Sequence, residues 1–448
     1  MTAASARTSV AAGSVARAAA EALWALLSLL TGVLVARHLG PAGKGTVSSI
    51  GYLVAIVAPA VTLGLGEAGV TLTRGRSVAL NRAVSATIAC LALTSIVGGV
   101  VLLAFVILQF QGEIDHLEGA TAAAMASLPA MAAWFSLSLL VEGQGGLIAS
   151  SAIKIVTALV TAVMTAVLVL VLELAVAGAL ASIAAGFTVG ALLTAGWLWR
   201  RRGAVPVPRW DGGYLRDALR IGFPVQAAYL LVGLAARADL LLVQVIRGAS
   251  AAGYYSVALT MGQLVSYGPV ALSAASFPVS AGLKVGEVVP FIERASRTAA
   301  AAGAVSSIVF APLLPFMLPR LFGAGFSEAV DPALVLIPAG VLQGVQWVTC
   351  RLWAAQGRGG LLVWSSALTL VVLLAVAAAL VPAHGAMGAA VASLLAATAG
   401  VAVAIVGHHR FAGGAATLSG FVPRGGDFAR IVQIPRALWR RLRRGHSA

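Results

Sequence analysis

The chain has 448 residues, of which 60% are hydrophobic and only 10% charged, with a mean hydropathy of +0.97. A water-exposed surface needs roughly a quarter of its residues charged, so this composition excludes a soluble globular protein and describes a polytopic membrane protein. The net charge of +15 matches the Lys/Arg excess of cytoplasmic loops, and nucleic acid is not expected as a partner.

Runs of about 20 apolar residues mark membrane-spanning helices. They predict helices near 15–36, 46–66, 83–109, 120–141, 147–171 and 175–199, then near 215–246, 253–281, 296–318, 333–355, 360–381 and 386–407. The first run is too long for the apolar core of a cleavable signal, about 7–15 residues, and reads as a retained helix. The expected fold is all-α, with about 12 transmembrane helices in two parallel six-helix repeats. Residues 1–199 form the first bundle, 200–213 a basic linker, 214–409 the second bundle, and 410–448 a basic tail.

Charged residues stand out against this background. Arg17 and Glu21 lie four apart on the first helix, one above the other, as an i,i+4 pair does. Lys154 lies two turns into the fifth helix, where it can snorkel to the interface or face a cavity. Arg237 and Asp239 interrupt the seventh run, where an isolated charge costs about 2.5–3.5 kcal/mol. They must face protein or a watery cavity, either as a site or as a structural anchor for the seventh helix. Two residues apart on a helix they diverge, so Asp239 is free to meet another helix, with Lys154 as one partner. Pro59 and Pro269 sit inside the second helix of each half, where a lost backbone bond makes a kink and a candidate gate. His38, His384, His408 and His409 read as ordinary helix-end residues.

Orientation follows from the positive charge. With the N-terminus inside, only Arg37, Lys44, Arg247 and Arg320 fall in outer loops, and the remaining loop Lys and Arg are cytoplasmic. Both termini are then cytoplasmic. Residues 428–444 mix apolar residues with arginines, as an interfacial helix on anionic lipids does; docking to a glycosyltransferase is the other reading. Cys90 and Cys350 fall in apolar segments and offer neither a disulfide framework nor a metal-ligand spacing, so no metal and no cofactor is expected.

Two internal matches support duplication. The nine residues from Gly40 align with those from Gly248 at an offset of 208, and those from Gly143 with those from Gly357 at an offset of 214. Each copy follows the same number of helices, and six is even, so the halves run the same way across the membrane.

The residues that carry a family resemblance are Ala36-Arg37-His38-Leu39-Gly40-Pro41-Ala42-Gly43-Lys44-Gly45 and Leu63-Gly64-Leu65-Gly66 in the first hairpin. To these add Arg237-Ala238-Asp239-Leu240-Leu241-Leu242 and Gly253-Tyr254-Tyr255-Ser256-Val257-Ala258, with Gly357-Arg358-Gly359 and Gly385-Ala386-Met387-Gly388-Ala389-Ala390 near the end. Over roughly residues 15–410 this order resembles the oligosaccharide-lipid flippase branch of the MATE-like transporter superfamily. The resemblance implies two six-helix bundles around a V-shaped, alternately open, cationic cavity. It further implies transport of a polyprenyl-pyrophosphate-linked oligosaccharide across the bacterial cytoplasmic membrane for cell-surface polysaccharide synthesis. Glycosyltransferases or a polymerase are the implied protein partners.

Arginine offers a planar fork matched to phosphate oxygens, which makes Arg237 the first candidate for headgroup binding, with Lys154 and Arg17 beside it. Asp239 and Glu21 are candidate coupling groups or structural partners that neutralise two of these charges. No nucleophile–base constellation or nucleotide loop points to an enzyme. A cation-coupled multidrug exporter of the same superfamily is the nearest alternative. A membrane polysaccharide polymerase or ligase is a third, disfavoured by the short outer loops.

Overall fold

The structure, a computed structural model, describes residues 3–74, 79–110, 118–413 and 420–428. Every regular element among them is helical. In chain order they are α1 (Ala3–Thr62), α2 (Leu65–Arg74), α3 (Leu80–Gln109), α4 (Glu118–Gly143), α5 (Leu147–Thr165), α6 (Ala175–Arg202), α7 (Gly212–Ala235), α8 (Ala238–Ala281), α9 (Val285–Phe310), α10 (Leu314–Phe322), α11 (Val330–Ala355) and α12 (Gly360–Phe411). Two of the apolar segments, Ala19–Thr73 with 55 residues and Gly360–Phe411 with 52, are each long enough for two crossings of a core about 30 Å thick. The chain is a multi-pass membrane protein of about twelve crossings.

Glycine supplies the reversals. Within α1 the helix breaks at Gly40 (φ 66°, ψ −173°), and within α8 at Gly248 (φ 82°, ψ −177°). These are the residues paired at an offset of 208, and both hold a backbone region open only to glycine. The second match needs a shift of two residues. Gly146 N–H bonds Val141 O and Arg358 N–H bonds Trp353 O, while Gly145 N–H bonds Glu142 O and Gly357 N–H bonds Ala354 O. Each helix therefore ends in the same Schellman motif, with Gly145 (φ 82°) equivalent to Gly357 (φ 78°) at an offset of 212. Glu173 (φ 50°) and Gly385 (φ 54°) obey that spacing too.

The seventh run is not one helix. α7 ends at Ala235, Arg237 N–H bonds Leu234 O in a tightened turn, and α8 restarts at Ala238. Similarly, the second run stops at Thr62, and Leu63 (φ 51°) and Gly64 (φ 74°) turn the chain into α2.

The chain divides into two compact units, Met1–Arg237 with Gly248–Gly253, and Ala238–Arg247 with Tyr254–Ala448. In the first, α4 packs against α1, α2, α3 and α6. Gly186 and Gly190 of α6 leave room for Thr161 and Thr157 of α5, the small-residue contact by which helices associate in lipid. The segment after α6 is laced to α3: Val205 N–H bonds the Asn81 side chain at 3.0 Å, and Arg209 N–H bonds Ser85 O at 3.3 Å. In the second unit α11 packs against α9 and α12, and Gly400 of α12 faces Thr369 and Gln346. Cys90 and Cys350 are buried free thiols.

Candidate substrate-binding site

A cavity of about 300 Å³ opens in the first unit, inside the range of ligand pockets. Its walls come from both segments of α1, from α4, α5 and α6, and from Arg237. Pro41, pre-set for a helix start, restarts α1 directly after Gly40. Lys44 therefore lies one turn inside the new segment, not in an outer loop. Lys44, Ser48 and Tyr52 then repeat every four residues along one helix face, and all three line the cavity. A Cβ added to Gly32, on the first segment, would lie 3.7 Å from Lys44 Nζ, so the ammonium group lies against that segment at ordinary contact distance.

Arg237 reaches the same cavity from the break in the seventh span, and its guanidinium lies 4.2 Å from the centroid of the Tyr52 ring. Ser28, Thr31 and Thr161 add hydroxyls, and Trp24, Met131, Ile183 and Phe187 add apolar surface. No Asp or Glu is among the lining residues. Among the described residues neither Lys44 nor Arg237 has an acidic partner within ion-pair distance. Two unneutralised cations share one half-buried, largely apolar chamber. Lys44 was hidden in the sequence because a Gly-Pro turn reads as a loop; its signal was the single lysine four residues after that turn.

The other cations expected here are elsewhere. Lys154 Nζ meets Glu21 Oε2 at 2.6 Å, Arg17 Nε meets Glu21 Oε1 at 3.3 Å, and Arg17 also pairs with Glu142. Ser150 donates to Glu142 at 2.9 Å. Lys154 thus contacts Glu21 where Asp239 was expected, and its ammonium lies 5.2 Å from the centroid of the Trp24 ring. Asp239 is only 2% exposed and belongs to the second unit. Its carboxylate accepts from Tyr255 Oη at 2.5 Å, Ser393 Oγ at 2.6 Å and Leu240 N–H at 2.8 Å.

Pro59 lies one turn before the end of α1, where Thr62 Oγ1 donates to its carbonyl at 2.7 Å. Pro269, inside α8, packs beneath Gly344, whose added Cβ would come within 2.7 Å of it. His408, read as an ordinary helix-end residue, is fully buried: its Nδ1 accepts from Trp353 Nε1 at 3.1 Å, Nε2 lies 3.6 Å from Glu293, and Phe421 meets it edge to face. Apart from its first residue, Phe428, the interfacial helix expected at 428–444 lies outside the described residues. The preceding segment folds onto the second unit through an Arg297–Asp427 ion pair at 3.3 Å. Among the described residues no cluster of His, Cys, Asp and Glu is arranged to hold a metal.

The model of the family described as "Polysaccharide biosynthesis protein" matches residues 10–284, more than half of the chain. The chain belongs to this polysaccharide biosynthesis family. Comparison with curated proteins returned no match. Among solved structures, the fold of this family member is similar to an inward-facing multidrug resistance MATE transporter of the MOP superfamily, with TM-score 0.71 and 17% identity over 88% of this chain and 96% of that one. An outward-facing MATE structure gives 0.65 and 16% identity, covering 90% and 95%. A MOP superfamily transporter from Pyrococcus furiosus Vc1 (DSM3638) gives 0.63 and 16%, covering 91% and 96%; its description states that reverse polarity of its binding pocket suggests a different function. The likeness is one of fold, the fold found in these transporter structures.

Proposed function

We propose that this polysaccharide biosynthesis family member is a flippase. It carries a polyprenyl-pyrophosphate-linked oligosaccharide across the bacterial cytoplasmic membrane by alternating access between the duplicated halves 1–199 and 214–409. The observation that supports this most is the cavity wall itself: Lys44 and Arg237 with hydroxyls and no carboxylate. A pyrophosphate headgroup brings the missing negative charge, and in a low-dielectric chamber charge-assisted bonds to phosphate are among the strongest available. A cationic drug would meet like charge at Lys44 and Arg237 with no carboxylate among the lining residues, which favours an anionic cargo.

In this reading Arg237 and Lys44 hold the phosphates, and Asp239 fixes the restart of the seventh span and serves as a coupling group. Pro59 and Pro269 mark the flexible points of the second and eighth spans. Both termini are cytoplasmic, the arginine-rich tail rests on anionic lipid, and glycosyltransferases or a polymerase supply and use the cargo. The test is complementation of a flippase-deficient strain. Arg237→Ala and Lys44→Ala should each abolish surface polysaccharide while membrane abundance stays normal. Full activity in both would remove the cavity from the mechanism.

A further inference from the structure

One element of the first unit has no place in the cavity: the cluster Arg17, Glu21, Glu142, Ser150 and Lys154. Its centre is the Glu21 carboxylate, with Oε1 on Arg17 and Oε2 on Lys154. A carboxylate whose two oxygens bridge two cations from different helices occupies the position of two oxygens of a phosphate. Its side chain is 46% exposed and that of Arg17 40%, against 19% for Lys154, so the Arg17–Glu21 pair is weak and exchangeable while Lys154 sits deeper. Along α1, Glu21 precedes the cavity residue Ser28 by seven positions, about 10 Å at the helical rise. Trp24 connects the two places, since it lines the cavity and carries Lys154 over its ring.

We propose that Arg17 and Lys154 form a second anion station at the edge of the cavity, held closed by Glu21 as a built-in stand-in for a phosphate-bearing headgroup. This rests on the reading of the cavity as an anion site. A headgroup arriving from the N-terminal end of α1 displaces Glu21 and takes its two cations. Phosphate carries more charge and more acceptor oxygens than a carboxylate, so it can compete for the two cations, while the tethered Glu21 keeps the station weak and lets the headgroup move on. The headgroup then passes to Arg237 and Lys44. Glu142, bonded to Ser150, keeps hold of Arg17 during the exchange and prevents it from trapping the cargo.

The test is calorimetric titration of the full-length chain in lipid nanodiscs with farnesyl pyrophosphate and, separately, inorganic pyrophosphate. Wild type should bind one probe per chain. Glu21→Gln should bind a second, or bind about fivefold more tightly, the factor that one released ion pair supplies. Adding Lys154→Gln should remove that gain. An increase confined to farnesyl pyrophosphate assigns the station to lipid-linked anions, and an increase with both probes assigns it to phosphate in general. An unchanged titration of Glu21→Gln with either probe, or a gain that survives Lys154→Gln, overturns the proposal. Should Glu21→Gln not fold, Glu21→Ala, which also frees Arg17 and Lys154, gives the same readout. Lys44→Gln with Arg237→Gln removes the wild-type site if the cavity reading is right, so the two ideas fail separately.

Discussion

The sharpest prediction concerns Gly45. A Cβ added there would overlap the carbonyl oxygen of Ala249 and approach Gly253 N at 2.7 Å and Ala249 C at 2.8 Å. A Cβ on Gly253 would overlap the carbonyl oxygen of Pro41 and come within 2.8 Å of its carbon. Gly253 is Gly45 moved by 208 positions, and Ala249 is Pro41 moved by the same amount, so the duplicated turns cross each other reciprocally, backbone on backbone. Helix propensity alone predicts that Gly45→Ala stabilises by about 1 kcal/mol. The blocked atoms are main chain, however, and no rotamer change relieves them. The helices must part, and overpacking of this kind costs about 3 kcal/mol, the upper end of its usual range. The net is a loss of about 2 kcal/mol, read as an apparent Tm about 4 °C lower in detergent, followed by fluorescence-detected size exclusion after heating. Gly51→Ala is the control, because nothing lies within 4 Å of its added Cβ and the propensity gain should appear there. If Gly45→Ala melts at or above wild type while Gly51→Ala behaves as stated, the crossing is not as tight as described.

Three further outcomes follow from the structure. Tyr255→Phe removes a hydroxyl that bonds both Asp239 and Ser393; losing a bond to a buried charge should cost about 1.5–3 kcal/mol, measured by the same thermal assay, and a variant as stable as wild type would show the contact is dispensable. Trp353→Phe leaves His408 Nδ1 without its donor and should cost about 1–3 kcal/mol, with faster hydrogen exchange over residues 420–428, since Phe421 rests on the same imidazole. At the start of α7, the Tyr214 N–H first, and then the Arg82 guanidinium at 2.7 Å, hold the Asp211 carboxyl below its ordinary range. A carboxyl depressed by folding stabilises above its unfolded value, near 3.9, and loses that contribution as pH falls through its folded value. The Tm gap between wild type and Asp211→Ala should therefore be constant above about pH 5 and close below about pH 4; a gap independent of pH would contradict this.

Much of the fold was legible because membrane spans are set by length and apolarity, and both are local. The runs at 83–109 and 120–141 became α3 and α4 with boundaries shifted by a few residues at most. The turn at Gly40 was legible too, because its conformation is one that only glycine adopts, and its copy at Gly248 repeats it. The second repeat was misaligned by two because both copies contain three glycines within four residues. Only the backbone shows which glycine of each copy takes the left-handed position, Gly145 in the first and Gly357 in the second. The break at Arg237 left no mark: Ala235 and Ala236 favour a helix, and tertiary packing ends it there. The partnership of Glu21 with Lys154 spans 133 positions, and no local pattern carries such a distance.

The charges show why the site itself was only half visible. Sequence reasoning selected cations that sit inside apolar runs, since those are costly without a reason, and it found Arg237, Lys154 and Arg17 on that ground. Cost, however, depends on what stands opposite. Lys154 faces Glu21, Arg17 faces Glu21 and Glu142, and Arg297 faces Asp427, so in each case the balancing acid is supplied by the chain. For Lys44 and Arg237 no such acid stands within ion-pair distance among the described residues, and an aromatic face at 4.2 Å offsets only part of the desolvation of a guanidinium. Two like charges left uncompensated in one chamber also repel each other. A fold shaped by stability alone would replace either with an apolar residue at no loss; their joint presence is intelligible when an anion that visits the chamber completes the balance.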